Sequence, residues 1–401
     1  QLNDQIMGLI AAGVEAHVID RPGGIFVRSA EHISGEDRIL LQTVARAILT
    51  DSHGALAEQI NRHNLIEKRR VAGAEQIDRG SFVEKRAPPR LPTPTHPSEL
   101  PPAAQLPRRD LIFFNGLGGF TRDGREYVIT TAHGQVTPAP WVNILANPHF
   151  GTVVSESGCA YTWGENAHEF RLTPWHNDPV SDLSGEALYL RDEDSGHFWS
   201  PTPLPVRGAN AYISRHGFGY SVFEHTEGEI RSEVWVYVAP DAAVKVTVVK
   251  LRNESASSRR LSATGYVEWV LGDLPPKSIM HVITEIDPKT SALFARNPYN
   301  AEFAERVAFF DASESTRSVS ADRTEFLGRN GTLRNPAAMS RARLSGKVGP
   351  ALDPCAAIQI PFELAAGQER EFVFTLGLGC DASDARELAR RARGTAAARG
   401  V

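Results

Sequence analysis

Between Trp141 and Trp199 the sequence gathers four of its six tryptophans, with an excess of Asn, Asp, Arg and His among them. Two runs stand out, Gly158-Cys-Ala-Tyr-Thr-Trp-Gly-Glu-Asn166 and Arg171-Leu-Thr-Pro-Trp-His-Asn-Asp-Pro179. Sugars present apolar C–H faces rimmed by hydroxyls, so a surface that holds one needs aromatic platforms beside planar polar groups. The side chains here that suit that chemistry are Trp141, Trp163, Glu165, Asn166, Arg171, Trp175, Asn177 and Asp178. The opposing reading is that the tryptophans fill a core and the Asn-Asp-Pro run makes turns. Composition weighs the two about evenly. Glu165 and Asp178 are the carboxylates a glycosidase-like pair would draw on, but such a pair is defined by its separation, so no catalytic residue is assigned.

Other chemistry finds little support. Asn115-Gly-Leu-Gly-Gly-Phe120 is glycine-rich but lacks the Gly-Lys-Ser/Thr ending of a phosphate loop and reads as a turn or bulge. Eight histidines from His133 to His281 show no metal spacing, and no serine sits in a Gly-x-Ser-x-Gly context. Neither a metal nor a cofactor is expected. Cys159, Cys355 and Cys380 are odd in number and widely spaced, which argues against a disulfide framework and for a reducing, cytoplasmic compartment. The net charge of −5 argues against nucleic acid and anionic membrane as partners. No apolar run is long enough to span a bilayer, and the start Gln1-Leu2-Asn3-Asp4 has neither the n-region nor the h-region of a signal peptide. A start without Met is what a fragment or processed form would show.

The elements that must position these residues fall into zones. Residues 1–87 read as a helical segment: Ser34-Gly35-Glu36-Asp37 resembles a capping box ahead of the Ile39, Leu40, Val44 and Ile48 face, and a second helix is expected over Ala55–Leu65. The segment either packs through its Ile39-Val44-Ile48 face on the zone that follows the linker, the favoured reading, or forms a small separate helical unit on the proline-rich tether. Residues 88–109 are a proline-rich linker, excluded from helix interiors and ladders by missing amides. From residue 110 to 378 the apolar period changes to two. Val234, Val236 and Val238 alternate with Trp235 and Tyr237, and Val244, Val246 and Val248 repeat the pattern beyond Pro240-Asp241, as adjacent strands of a meander. Leu261, Ala263, Val267 and Trp269 read as its next strand, and residues 187–191 and 197–200 as a hairpin. Many strands at short turn spacing predict a mainly β fold, a large antiparallel β-sandwich. Residues 379–401 read as a helix leaving it, with Gly394 as its stop.

Several blocks carry a resemblance: Gly118-Gly-Phe120, Thr137-Pro-Ala-Pro-Trp-Val-Asn143, Ala146-Asn-Pro-His-Phe-Gly151, Tyr161-Thr-Trp163, Arg171-Leu-Thr-Pro-Trp175, Gly185–Asp192 and Tyr266–Gly272. Together they resemble the glycoside phosphorylase family containing cellobiose phosphorylase, and most closely the phosphorylase-like region of cyclic β-1,2-glucan synthases. The resemblance implies a galactose-mutarotase-like β-supersandwich, then a linker helix and an (α/α)6 barrel that carries the catalytic acid and the phosphate site. Only the first part is present, so the resemblance implies a chain that is non-catalytic alone, from a parent that is an inverting phosphorylase or glycosyltransferase, with room for an inner-membrane anchor in that parent. Its implied partners are a β-glucan or other glucose-containing oligosaccharide, the barrel of the same parent and a second copy as a homodimer. Two other classes stay open: a structural packing module without sugar affinity, and a stand-alone mutarotase-like epimerase or lyase, which would need a His and a carboxylate converging in a concave sheet.

Overall fold

In the computed structural model, residues 110–393 are described without interruption, and before them residues 5, 7, 8, 10, 25–28, 33–45 and 48. The chain divides into two compact units, Gln1–Lys85 and Arg86–Val401. In the first, the helix Gly35–Val44 starts as its capping residues require: the Asp37 amide donates to Ser34 Oγ at 3.1 Å, and the hydroxyl donates to the Asp37 carboxylate at 2.7 Å. The helix expected over Ala55–Leu65 and the linker 88–109 lie outside the described residues.

The second unit is built of strands. In chain order these are β1 Gly118–Phe120, β2 Glu126–Thr131, β3 Val142–Asn147, β4 Phe150–Ser155, β5 Ala160–Gly164 and β6 Glu186–Asp192. There follow β7 Phe198–Trp199, β8 Tyr212–Gly217, β9 Tyr220–Glu227, β10 Ile230–Val238, β11 Val244–Asn253 and β12 Arg259–Glu268. The last are β13 Ile283–Ile286, β14 Leu293–Arg296, β15 Val307–Ala312, β16 Ser318–Asp322, β17 Pro354–Leu364 and β18 Glu369–Gly379. They form a ten-stranded sheet ordered β1-β2-β8-β9-β10-β11-β18-β15-β14-β13, a five-stranded sheet ordered β16-β17-β12-β6-β7 and a three-stranded sheet β3-β4-β5. The pairing is antiparallel in all three.

The period of two settles which face each residue serves. Val234 and Val236 of β10, Leu251 of β11 and Phe372, Phe374 and Leu376 of β18 point into one core. There they meet Leu190, Leu261 and Ile358 of the five-stranded sheet and Leu145, Phe150 and Val154 of the three-stranded sheet. The opposite face of the ten-stranded sheet carries Val244, Val246, Val248, Phe309 and Val373, covered by Ala385, Leu388 and Ala389 of the C-terminal helix Ala382–Ala392. Strand β18, central and buried on both faces, therefore reads as a nearly continuous apolar run from Phe372 to Leu378, interrupted by the buried Thr375.

The meander expectation holds for β10 and β11, which β9 extends on the other side, and fails at β12, which pairs with β17 and β6 in the other sheet. The turn after β11 is a corner. Buried Asn253 donates through Nδ2 to the Ser257 and Leu364 carbonyls at 2.7 and 2.9 Å, while its Oδ1 accepts the Ser255 amide at 3.0 Å. Those bonds bend the chain out of its sheet and against β17, and β18 takes the place beside β11.

All three sheets meet at one buried ion pair. Lys245 of β11 donates to Glu186 Oε2 of β6 at 2.7 Å and to Thr152 Oγ1 of β4 at 3.1 Å. The other Glu186 oxygen accepts from Thr162 of β5 at 2.6 Å and from Thr173 at 2.8 Å. A charge taken from water is tolerated only when an opposite charge and hydrogen bonds replace the water, which this carboxylate, ammonium and their hydroxyl partners do for one another.

Ion pairs also moor the C-terminal helix. The Arg386 fork donates to Asp287 Oδ1 at 3.0 and 2.8 Å, and Arg393 donates to Asp311, which also accepts from Arg317. Burial alone would raise the Asp287 carboxyl, but the Arg386 fork and the Thr290 hydroxyl and amide outweigh it and hold it well below the usual carboxylate range. A group depressed on folding contributes stability that is present above its unfolded value, near pH 4, and is lost as pH falls through the folded value. Urea denaturation at pH 7, 4 and 3 should therefore show wild-type stability falling more steeply below pH 4 than that of Asp287→Asn. Parallel acid loss in the two proteins would refute this account. No helix among the described residues is long and apolar enough to cross a membrane.

Candidate functional site

The three-stranded sheet has one face in the core and one outside. On the inner face, Asn143 Nδ2 donates to the Gly217 and Tyr220 carbonyls at 3.0 and 2.9 Å, and Asn147 Nδ2 donates to those of Ala239 and Ala242 at 2.8 and 2.9 Å. These amides fasten β3 to two turns of the ten-stranded sheet and so fix which face looks outward. Register places Val142, Ile144 and Ala146 of β3, Gly151 and Val153 of β4, and Tyr161 and Trp163 of β5 on that outer face.

The aromatic rings form a row across it. Trp163 lies down on Gly151: a Cβ there would stand 2.3 Å from Trp163 Cζ2, so the absence of a side chain makes the seat. The Tyr161 ring centroid is 5.2 Å from that of Trp163 and 4.7 Å from that of Trp175, with tilts of 32° and 39°. Trp175, held by a bridge to Ser184, ends the row and is 40% exposed.

Beside Trp175 opens a pocket of about 250 Å³, lined among others by Val153, Ser155, Cys159, Asn177, Asp178 and Asp182. Asn177 and Asp182 both hold left-handed backbone, φ 48° and 46°, a cost that shaped sites bear more often than ordinary loops. Asp178 Oδ1 accepts the amides of Ser181 and Val180, which lower its pKa. Asp182 accepts from Ser155 Oγ at 2.6 Å, yet burial, its largest influence, pushes its pKa up. Burial likewise raises the Cys159 thiol far above its usual range, leaving it protonated and a poor nucleophile.

Of the residues nominated from sequence, Trp163, Trp175, Asn177 and Asp178 share this face and its pocket. The others are engaged elsewhere. Arg171 exchanges backbone hydrogen bonds with Gly272 and donates from Nε to the Ala167 carbonyl at 3.3 Å and from Nη1 to that of Asp273 at 3.1 Å, a clamp between two loops. Asn166 Oδ1 accepts the His168 and Glu169 amides and shapes a turn. Glu165 accepts from Arg306 at 2.6 Å beside His149, a setting unlike that of Asp178. Trp141 meets Glu156 twice through its backbone and sets its ring edge-on to Tyr127. Tyr161 and Asp182 were not nominated. The two-residue spacing of Tyr161 and Trp163 was the available signal for the first, and only the folded loop reveals the second.

A histidine and carboxylate do converge, at Glu227, which lies 3.2 Å from His197 Nε2 and 3.4 Å from His225 Nε2. Gly208 roofs them so closely that a Cβ there would stand 2.5 Å from His225 Nε2 and 2.6 Å from Glu227 Oε2. Gly208 thus closes over the buried His225–Glu227 pair, while the His197 side chain is 38% exposed.

The family described as glycosyl hydrolase 94, supersandwich domain, matches residues 125–395. The chain is 39% identical over 277 residues to the cyclic beta-(1,2)-glucan synthase NdvB of Rhizobium meliloti (strain 1021), a match covering 69% of this chain and 10% of that protein. It is 29% identical over 273 residues to the N,N'-diacetylchitobiose phosphorylase of Vibrio proteolyticus, covering 65% of this chain and 33% of that one. The chain thus spans between a tenth and a third of the length of these two relatives. Among solved structures, a galactose mutarotase-like protein from Clostridium acetobutylicum aligns with TM-score 0.36 at 7% identity, over 60% of this chain and 99% of that one.

Proposed function

The chain belongs to the glycosyl hydrolase 94 family, whose supersandwich domain occupies residues 125–395, and from that premise we propose that it binds and positions a β-glucan for a larger parent protein, a cyclic β-1,2-glucan synthase-like or β-glucan phosphorylase enzyme. The observation that carries this reading is the row Trp163, Tyr161, Trp175 on an outward sheet face, ending in a pocket with planar and acidic groups. Trp175, exposed, and Trp163, half-buried, offer the stacking faces, Tyr161 lies buried between them as their support, and Asn177 and Asp178 stand where hydroxyls need partners. In this reading the chemistry is done by an (α/α)6 barrel of the same parent, at the inner membrane where the parent is anchored there, and this chain is non-catalytic.

The test is calorimetric titration of the chain with linear and cyclic β-1,2-glucans, with cellobiose as control and phosphate-dependent sugar-phosphate release assayed in the same samples. Binding without release is the expected result. Release would mean that catalytic groups lie in this chain after all.

A second reading has its own observation. Val142, Ile144, Val180 and Leu183 are exposed near the same pocket, and aliphatic side chains offer a sugar little while suiting a protein surface. In that reading the face is a packing surface for the barrel or for a second copy of the chain. Silence in every titration, with concentration-dependent self-association, would favour it.

A further inference from the structure

We propose that the pocket beside Trp175 selects by charge: it admits a neutral or amino-bearing sugar and turns away a uronate or a sugar phosphate. This deepens the saccharide-binding reading and rests on it. Two carboxylates, Asp178 and Asp182, line the pocket, and no Lys, Arg or His does. A saccharide site built for an anion would present a guanidinium fork or an ammonium to it.

The nearby cations stand outside the lining. Arg323 acts on His176, outside the lining, and its own fork is held by Glu268 and Asp353 at 3.0 and 2.9 Å. Arg334, felt by the buried Cys159 thiol, also lies outside the lining. The Asp178 carboxylate stays ionised because the Ser181 and Val180 amides donate to it. Asp178 and Asp182 face the same pocket with no cation in its lining, and the Asp178 charge adds to burial in raising Asp182. At about 250 Å³ the cavity falls below the roughly 300–1,000 Å³ of sites that enclose drug-sized ligands, so it suits a single sugar unit at the end of the aromatic row. A glucan unit stacked on the exposed Trp175 then meets no penalty, whereas a phosphorylated sugar does. The site thereby separates a polymer from the charged monosaccharide that a phosphorolytic reaction would release.

The experiment titrates the chain with three trisaccharides: β-1,2-linked glucotriose, the same trisaccharide oxidised at C6 to its uronate, and chitosan trisaccharide. Wild type, Trp175→Ala and the double variant Asp178→Asn/Asp182→Asn are compared, with circular dichroism checking their folds. Asparagine keeps an acceptor for the Ser181, Val180 and Ser155 donors, so the loop is retained. Wild type should bind the uronate roughly tenfold more weakly than the neutral sugar, the size expected for like charges a few ångströms apart at a half-exposed site. The gap should close in the double variant and narrow as salt is raised. Equal affinity of wild type for the neutral and acidic sugars, with Trp175→Ala still weakening both, would overturn charge selection and leave the saccharide site standing. A gap unchanged by the double variant would also overturn it. Binding indifferent to Trp175→Ala, or no binding by wild type, would overturn the saccharide reading itself and this inference with it.

Discussion

Replacing Lys245 with methionine is expected to destabilise the fold by about 3–5 kcal/mol, the cost of leaving a buried carboxylate without its partner. Lys245 is 4% exposed, and Glu186, which accepts its proton donors, is bound on its other oxygen only by the hydroxyls of Thr162 and Thr173. Hydroxyls can share a carboxylate's charge but do not cancel it. The effect should be large because the pair joins strands from three different sheets, so no single sheet can relax around the orphan. Urea denaturation followed by circular dichroism measures it. The double change Lys245→Met with Glu186→Leu removes both charges and should recover most of the loss, since apolar groups of similar volume replace buried ion pairs at little cost. If the double variant were as unstable as the single one, packing volume at the junction would be the stabilising factor and the ion pair would not.

Trp175→Ala is expected to weaken β-1,2-glucan binding by at least about tenfold while moving the urea midpoint little. The ring ends the aromatic row and is partly open to solvent, so its loss removes a stacking face more than core contacts. Trp163→Ala should differ in kind. That ring closes over Gly151 and supports Tyr161, so binding and stability should fall together. Arg171→Ala should loosen two loops without a direct effect on the sugar, because its donors already serve the Ala167 and Asp273 carbonyls. The discriminating measurement is glucan affinity set beside the denaturation midpoint for all three variants. A Trp175→Ala protein that binds like wild type would remove the row from the site.

The fold was legible wherever side-chain alternation ran against clear turns. β10 and β11 lie where the valines alternate, and β6 pairs with β7 across the acidic loop Asp192–Gly196. The sheet that receives β12 was not legible, because Leu261 and Ala263 alternate equally well in either sheet. A buried asparagine corner decides it, and asparagine in a loop looks the same whether it turns the chain or merely faces water. The site shows the same limit. Aromatic and Asn/Asp content drew attention to residues 141–199, and Trp163 and Trp175 do share a face. Whether an arginine fork is free or engaged by carbonyls depends on a partner such as Asp273, a hundred residues further along the chain. Asp182 was silent because a lone acid between Ser181 and Leu183 has no periodicity to betray it.

The last strand of the sandwich stands in the middle of its largest sheet. β18 runs between β11 and β15, and its Gly377 faces Val244 across a ladder whose partners are far apart in the chain. A ribosome therefore delivers β11 and β15 long before the strand that joins them. Until residues 369–379 emerge, two apolar edges are unpaired and open to other chains. The sheet cannot close by simple addition of neighbours, and loop closure over so long a span makes the final step slow. Newly made protein should depend on chaperones until synthesis reaches Gly379, and cuts that end the chain before Glu369 should yield insoluble material instead of a smaller sandwich.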